Sequence, residues 1–256
     1  MKIYYASDVH SEYLKYPDIP HLDLAADVIV FAGDIGIADD TLTFLEAVAE
    51  TYPHTHLVWV AGNHEFYGTD IESQLYEFRQ HSARHPRIHF LENERLQLGE
   101  VTFLGCTLWT DFTALGDEMG KECIANSQRL ADFFYIYTQH GKFSAEDAIA
   151  RFRGSHSWLK QELANCNPQK TLVISHFPPC REARHGEIPE DYLAAYFQAN
   201  ARDLIEEFQP RYWIYGHNHW SDRFLIGDTL LTSNQLGYPQ EASVQARFNL
   251  RAFIEI

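Results

Sequence analysis

Eight residues able to bind a metal or move a proton stand in five short blocks, each at the end of an apolar run. The blocks are Asp8-Val9-His10, Gly33-Asp34, Gly62-Asn63-His64-Glu65, His176 and Gly216-His217-Asn218-His219. Singly, each is ordinary: a strand-end Asp caps or turns, and a lone His is more often a hydrogen-bonded surface or core residue than a ligand. Together they are not. The carboxyl ends of parallel strands share one edge of a sheet, so two carboxylates and up to five imidazoles would crowd into one volume. Without a cation, such a cluster suffers like-charge repulsion and desolvation.

Spacing sharpens the chemistry. In Asp8-x-His10 and His217-x-His219, residues i and i+2 of an extended segment point to one side, so each pair can converge on one site. Asp34 has two oxygens and can bridge two ions. Asn63 and His64 place a neutral oxygen ligand beside a proton-transfer group, and Gly62 before them permits backbone angles that other residues resist. Carboxylate, imidazole and amide oxygen without thiolate suit Mn, Fe or Zn in an open site, and no spacing resembles a zinc finger.

The elements that must position these blocks read as strand, loop, strand, helix, strand, helix. Apolar runs at 3–6, 28–32 and 57–60 are the strands. Asp39-Asp40 open a helix with Leu42, Leu45, Val48 and Tyr52 on one face, and Thr69-x-x-Glu72 makes a capping box for a helix burying Ile71, Leu75 and Phe78. The pattern implies a largely parallel sheet with helices on its faces. The segment through Pro17 and Pro20 is loop-like. Strands are expected at 88–91, 96–98 and 101–106, with a tight turn at Leu98-Gly99-Glu100-Val101. Between about 117 and 166 two helical patterns dominate. One carries Ile124, Leu130, Phe134 and Tyr137; the other starts at Ser144-x-x-Asp147 and buries Ala148, Phe152, Leu159 and Leu163. Neither edge has linker composition, so residues 1–256 read as a single domain with a helical cap at about 117–166. Strands at 171–174 and 212–215 flank a helix with Leu204, Ile205 and Phe208, and the segments 224–226, 229–232 and 244–254 read as antiparallel strands.

The composition, with 45% hydrophobic and 14% aromatic residues, is that of a folded globular chain. A formal net charge of -16 disfavours extended nucleic-acid binding and anionic lipid. Four scattered cysteines without a Cys-x-x-Cys pair, and no signal-like N-terminus, read as reduced thiols in the cytoplasm. No apolar stretch approaches transmembrane length.

The five ordered blocks resemble the signature of the calcineurin-like metallophosphoesterases: Asp-x-His, Gly-Asp, Gly-Asn-His-Asp/Glu, a lone His, and Gly-His-x-His. The resemblance implies an α/β fold, a four-layer α/β/β/α sandwich, around a dinuclear centre. It implies Asp8, His10 and His219 on one ion, Asn63, His176 and His217 on the other, Asp34 bridging, and His64 as a catalytic residue that binds no metal. The activity implied is hydrolysis of a phosphodiester or phosphomonoester. Two cations roughly 3.5–4 Å apart share a water, lower its pKa and present hydroxide in line with phosphorus.

Departures narrow the substrate. Protein phosphatases of the superfamily carry an Arg four residues after the bridging Asp and another just before the Gly-Asn-His-Glu block, where this chain has Ala38 and Ala61. A small-molecule or nucleotide phosphoester is therefore expected, with two divalent ions, Mn2+ foremost and Fe or Zn as alternatives. Substrate contacts are expected from the 107–112 segment, the cap and the loops after His176 and His219. Trp109, Phe112, Trp220 and Tyr238 are candidates to stack on a base or sugar, and Arg129, Arg151, Arg153 and Arg181 to meet further phosphates. The competing readings are a non-catalytic metal-binding scaffold of the same fold, which retention of His64 opposes, and a nuclease for short oligonucleotides.

Overall fold

Every side chain from Val28 to Ala32 is buried, so both faces of that strand must be covered. Alternation decides by what. The computed structural model, which describes residues 1–14 and 25–256, places odd and even positions in two separate cores. The loop expected around Pro17 and Pro20 lies outside the described residues.

In chain order the elements are β1 (Lys2–Ala6), β2 (Val28–Ala32), α1 (Asp39–Thr51), β3 (His56–Val60), α2 (Ile71–Arg84), β4 (Ile88–Phe90), β5 (Glu94–Leu98), β6 (Val101–Cys106), α3 (Asp117–Ala125), α4 (Asp132–Tyr135), β7 (Tyr137–Thr138), β8 (Gly141–Lys142) and α5 (Ala145–Leu163). They continue as β9 (Thr171–Ser175), α6 (Arg202–Phe208), β10 (Tyr212–Tyr215), β11 (Arg223–Ile226), β12 (Thr229–Ser233), α7 (Ala242–Gln245) and β13 (Phe253–Glu255). One sheet has the order β13-β1-β2-β3-β4, the other β11-β12-β10-β9-β6-β5. The inner pairs β1–β2, β2–β3, β6–β9 and β9–β10 are parallel.

Ile3, Tyr5, Val28, Val30, Val58 and Val60 of the first sheet meet Phe103, Leu172, Ile174 and Ile214 of the second in one core. The opposite faces turn to helices. Phe31 meets Phe44 of α1 with ring centroids 5.7 Å apart, and Trp59 meets Phe78 of α2 at 4.9 Å. On the second sheet Leu104, Val173 and Trp213 join Leu159 of α5 and Leu204 and Ile205 of α6. The result is the expected α/β/β/α layering. Gly105 of β6 lies where the sheets approach: an added Cβ would stand 2.4 Å from Leu91 Cβ.

Some local readings shift. The helix α2 is capped by Asp70, whose carboxylate accepts from Ser73 N. Thr69 instead gives its hydroxyl to Phe66 O, so the capping box expected at Thr69 does not form. The first helical pattern of the 117–166 segment is broken into α3, a 3-10 turn and the four-residue α4, followed by the β7–β8 hairpin. Phe134 and Tyr137 are exposed rather than on a buried face, because Leu130 and Ile136 leave helical geometry for extended backbone. The second pattern is α5, with the Ser144–Asp147 capping box formed. At the C-terminal end only β13 is strand within 244–254; Val244 lies in the short α7.

Candidate metal centre

The five blocks follow β1, β2, β3, β9 and β10, whose carboxyl ends meet where the two sheets face each other. Backbone bonds draw the loops together: Asp8 N donates to Gly33 O at 3.0 Å, His10 N to Asp34 O at 3.0 Å, and Gly216 N to His176 O at 2.9 Å. Asp8, His10, Asp34, His217 and His219 all adopt positive φ, between 48° and 77°. Such left-handed backbone at non-glycine residues costs of order 1–3 kcal/mol each. The convergence expected from extended i, i+2 alternation therefore arises differently: the chain turns sharply at the ligand positions themselves. Gly62 is needed for close approach rather than for unusual angles, since a Cβ there would stand 2.1 Å from Asp34 Oδ1.

Two groups of donors form, linked by a third. Ligand atoms of Asp8, His10 and His219 lie within 4.8 Å of one another, as do those of Asp34, His176 and His217, and those of His10, Asp34 and His64. His217 and His219, two residues apart, thus serve different groups. Asn63 Oδ1 stands 3.0 Å from both His176 Nε2 and His217 Nδ1. Asp34 Oδ1 is 3.4 Å from His176 Nε2, and its Oδ2 is 4.0 Å from His64 Nε2.

Three rings are oriented through their other nitrogen, a common arrangement for metal-bound imidazole. His176 Nδ1 donates to Ala32 O at 2.9 Å, His219 Nδ1 meets Glu241 Oε2 at 2.6 Å, and His10 Nδ1 meets Glu12 Oε1 at 3.2 Å. With a proton on Nδ1 alone, each inward Nε2 is a lone pair; on His176, whose pKa Asp34 pushes up to about 9, a cation must displace the Nε2 proton to reach that state. His10 Nε2 lies 3.1 Å from His219 Nε2, and His176 Nε2 faces the Asn63 carbonyl. Such contacts are repulsive unless a proton or a cation sits between them, so these residues fit metal ions.

The electrostatics agree. Burial opposes charge on Asp34, yet His176, His64 and His10 hold its carboxyl well below the ordinary value. Burial and the neighbouring His176 keep His217 neutral, as a ligand must be. For His64, burial disfavours the imidazolium, but Asp34, Glu12 and Asp132 outweigh it and push its pKa up to about 9. The His64 ring is stacked on Tyr67 at 4.3 Å and meets Tyr238 OH at 3.0 Å.

Beyond these residues opens a cleft of ≈ 500 Å³ bordered by Asp34, His64, Tyr67, Leu130, Asp132, Arg184, Ile188, Leu193, Phe197 and Tyr238. Trp109, Phe112, Arg129 and Trp220 do not border it. Trp109 and Phe112 are core residues, the former against Phe143 and Phe177, because apolar rings this large gain more from packing than from a wet rim. Arg129 points outward to the Tyr192 hydroxyl, while its successors Leu130 to Asp132 reach the cleft. Trp220 lies behind the site between His185 and Arg247. Arg151 and Arg181 are paired with Glu72 and Glu190. Tyr67, Asp132 and Glu241 are site residues that spacing did not mark.

The chain matches the calcineurin-like phosphoesterase family over residues 1–221 and belongs to it. This is a family of metal-dependent phosphoric ester hydrolases. A curated relative, "Uncharacterized protein L509" of Acanthamoeba polyphaga mimivirus, is 26% identical over 281 residues, covering 98% of this chain and 95% of its own. Among solved structures, phosphopantetheinyl hydrolase (PptH) from Mycobacterium tuberculosis superposes with a TM-score of 0.79 at 16% identity, over 100% of this chain and 95% of that one. TT1561 of Thermus thermophilus gives a TM-score of 0.54 at 15% identity, over 99% and 96%. These two likenesses concern the fold.

Proposed function

We propose that this chain hydrolyses a small phosphorylated molecule at a centre of two divalent transition-metal ions, with Mn2+ foremost and Fe or Zn as alternatives. The observation that carries the reading is the close approach of ligand-type atoms, His10 Nε2 to His219 Nε2 and His176 Nε2 to Asn63 Oδ1, with Asp34 grouped with His176 and His217 and also with His10. One ion would be held by Asp8, His10 and His219 and the other by Asn63, His176 and His217, with Asp34 serving both. When bound, such a pair supplies a nucleophile at neutral pH and neutralises the phosphoryl oxygens.

The rest falls to side chains. His64, its pKa pushed up to about 9 by Asp34, Glu12 and Asp132 before any ion binds, borders the cleft and in this reading binds neither ion; as imidazolium it donates a proton to the departing oxygen or steadies its charge, help worth about 10²–10⁴-fold. Tyr67 lies flat on its ring and covers it. The leaving group would occupy the cleft between Leu130 and the Ile188–Phe197 side. Arg184, the arginine on that wall, is 3.2 Å from Glu190, a carboxylate it shares with Arg181, and Asp132, Asp191 and Glu241 border the same cleft, so its walls carry no excess of positive charge. An uncharged, partly apolar leaving group suits these walls better than a polyphosphate. The mycobacterial structural neighbour is a phosphopantetheinyl hydrolase, which is compatible with a small phosphorylated substrate here. Residues 117–166 act in this reading as a cap on one domain. All four cysteines are free, which suits a reducing cytoplasm.

The test is a panel of phosphomonoesters, linear and cyclic diesters and nucleoside polyphosphates with added Mn2+. Metal-dependent turnover is expected, highest for esters with uncharged leaving groups. Failure of Mn2+-loaded protein to hydrolyse any member would overturn the proposal.

A further inference from the structure

Asp132 is the first residue of α4, in the segment inserted between β6 and β9, yet its carboxylate is buried within the metal centre's surroundings. Its Oδ1 accepts from Asn63 Nδ2 at 3.0 Å and from Tyr67 OH at 2.7 Å, and its Oδ2 accepts from Tyr196 OH. Side chains remote from it in sequence therefore converge on one carboxylate. Two of these donors belong to groups that matter in the site. Asn63 turns its oxygen toward His176 and His217, and Tyr67 lies on the His64 ring.

An Asn amide has two nearly isosteric ends, and only its surroundings decide which one points where. If Asn63 were flipped, its NH₂ would face the cation side and its oxygen would face the Asp132 carboxylate. Both contacts would be repulsive. With Asp132 in place, the NH₂ end is committed outward and the oxygen inward.

We propose, on the dinuclear reading above, that Asp132 is a positioning residue: it fixes the Asn63 amide in the orientation that binds metal, so the inserted segment completes the centre rather than merely covering it. Glu12 and Glu241 orient imidazoles from within the loops around the two sheets; Asp132 orients the one amide, from the cap. The same carboxylate holds the Tyr67 hydroxyl and thereby the plane that rests on His64.

The test is Mn2+ titration of chelator-stripped protein, with binding followed by calorimetry, alongside kcat and melting temperature. Asp132→Ala should weaken one of the two binding steps by about 10–100-fold, the range for partners that orient a ligand, and leave the other nearly unchanged. Tyr196→Phe removes a bond from the far oxygen without touching Asn63; it should lower the melting temperature but keep both binding steps. A reciprocal exchange covers the case in which Asp132→Ala fails to fold. Asn63→Asp alone sets two carboxylates against each other and should lose the affected step, whereas Asn63→Asp with Asp132→Asn restores a donor-acceptor pair and should recover it. If Asp132→Ala keeps both affinities, or the double variant binds no better than Asn63→Asp, Asp132 only props the cap and the proposal is overturned. Uptake of fewer than two ions by the wild-type chain would instead overturn the dinuclear reading, and that result is visible before any variant is made.

Discussion

Glu65 Oε2 accepts the backbone N–H of Asp34 at 3.0 Å, and the same carboxylate takes the N–H of Ile35 and of Gly62 at 2.7 Å each. One wholly buried side chain thus joins the loop after β2 to the loop after β3 and sets the separation of Asp34 from Asn63. Burial and the Asp34 carboxylate push its pKa up to about 7, against the pull of His176 and the amides.

Glu65→Ala would leave three buried N–H groups unpaired, at about 1–3 kcal/mol each. Set against a total stability of about 5–15 kcal/mol, that is most of the fold. The expected outcome is a melting temperature lowered by well over ten degrees or insoluble protein, while Glu65→Gln, which keeps an acceptor oxygen, falls between. A Glu65→Ala protein melting with the wild type would refute this account.

Asp34→Asn removes the negative charge that lies with His176 and His217 on one side and with His10 and His64 on the other. Loss of activity by at least about 10²–10³-fold is expected, comparable to removing a main electrostatic group of a reacting centre. Metal analysis should show fewer than two ions per chain. Full activity in this variant would contradict its proposed place between the ions.

His64→Ala should keep the metal content and lower kcat by about 10²–10⁴-fold. The imidazolium is the useful form, so kcat/KM should fall as pH rises through the His64 pKa. The value of about 9 reflects Asp34, Glu12 and Asp132 acting against burial; bound cations oppose protonation, so the limb in loaded enzyme should lie below pH 9. The variant should lose that limb. Simultaneous loss of both metals would make His64 a ligand instead.

Stability should depend on pH in a way that metal removal exposes. In stripped protein both His64 and His176 are raised to about 9, because Asp34 and other carboxylates outweigh their burial. A raised pKa contributes stability that is full below the unfolded value, about 6.5, and is lost as pH climbs to the folded value. Melting temperature of the stripped protein should therefore fall between pH 6.5 and 9. Metal replaces the His176 proton, so Mn2+ should raise the melting temperature most at the alkaline end; the stabilisation is about 2.7 kcal/mol when free ion is 100 times its Kd. A flat profile in stripped protein would contradict the protonation assigned to these two rings.

Glu241→Gln weakens the acceptor at His219 Nδ1. A loss of about 10–100-fold in affinity for one ion is expected, the range for partners of ligating imidazoles. Calorimetric titration should show the step involving Asp8 and His10 affected and the other spared.

The five blocks were legible because each lies directly after a buried strand, and parallel strands must bring their carboxyl ends together. The layering was legible only in part: the residues read as a largely parallel sheet with helices on its faces, and the second sheet came from the family resemblance, because a strand apolar at every position, such as β2, does not say what covers each face. The partners were not. Glu12, Asp132 and Glu241 come from short turns or helix ends whose positions depend on tertiary packing, and no period in the chain marks them; Tyr238, expected as a stacking residue, does border the cleft. Trp109 and Phe112 were misplaced because an aromatic side chain carries no sign of whether it faces a core or a cleft. Thr69 lost its capping role to Asp70, whose carboxylate accepts more strongly from the backbone than a hydroxyl does.

His10 and His219 meet at 3.1 Å although 209 residues separate them. That contact sets a schedule. At about 5–20 residues per second a ribosome needs on the order of ten seconds or more to make the intervening chain. Until β10 and its following loop leave the exit tunnel, the N-terminal strands can fold but neither donor group is complete. On the dinuclear reading, a nascent chain or truncated fragment that lacks this loop holds no complete centre, and hydrolysis begins only once strands of both sheets have been made.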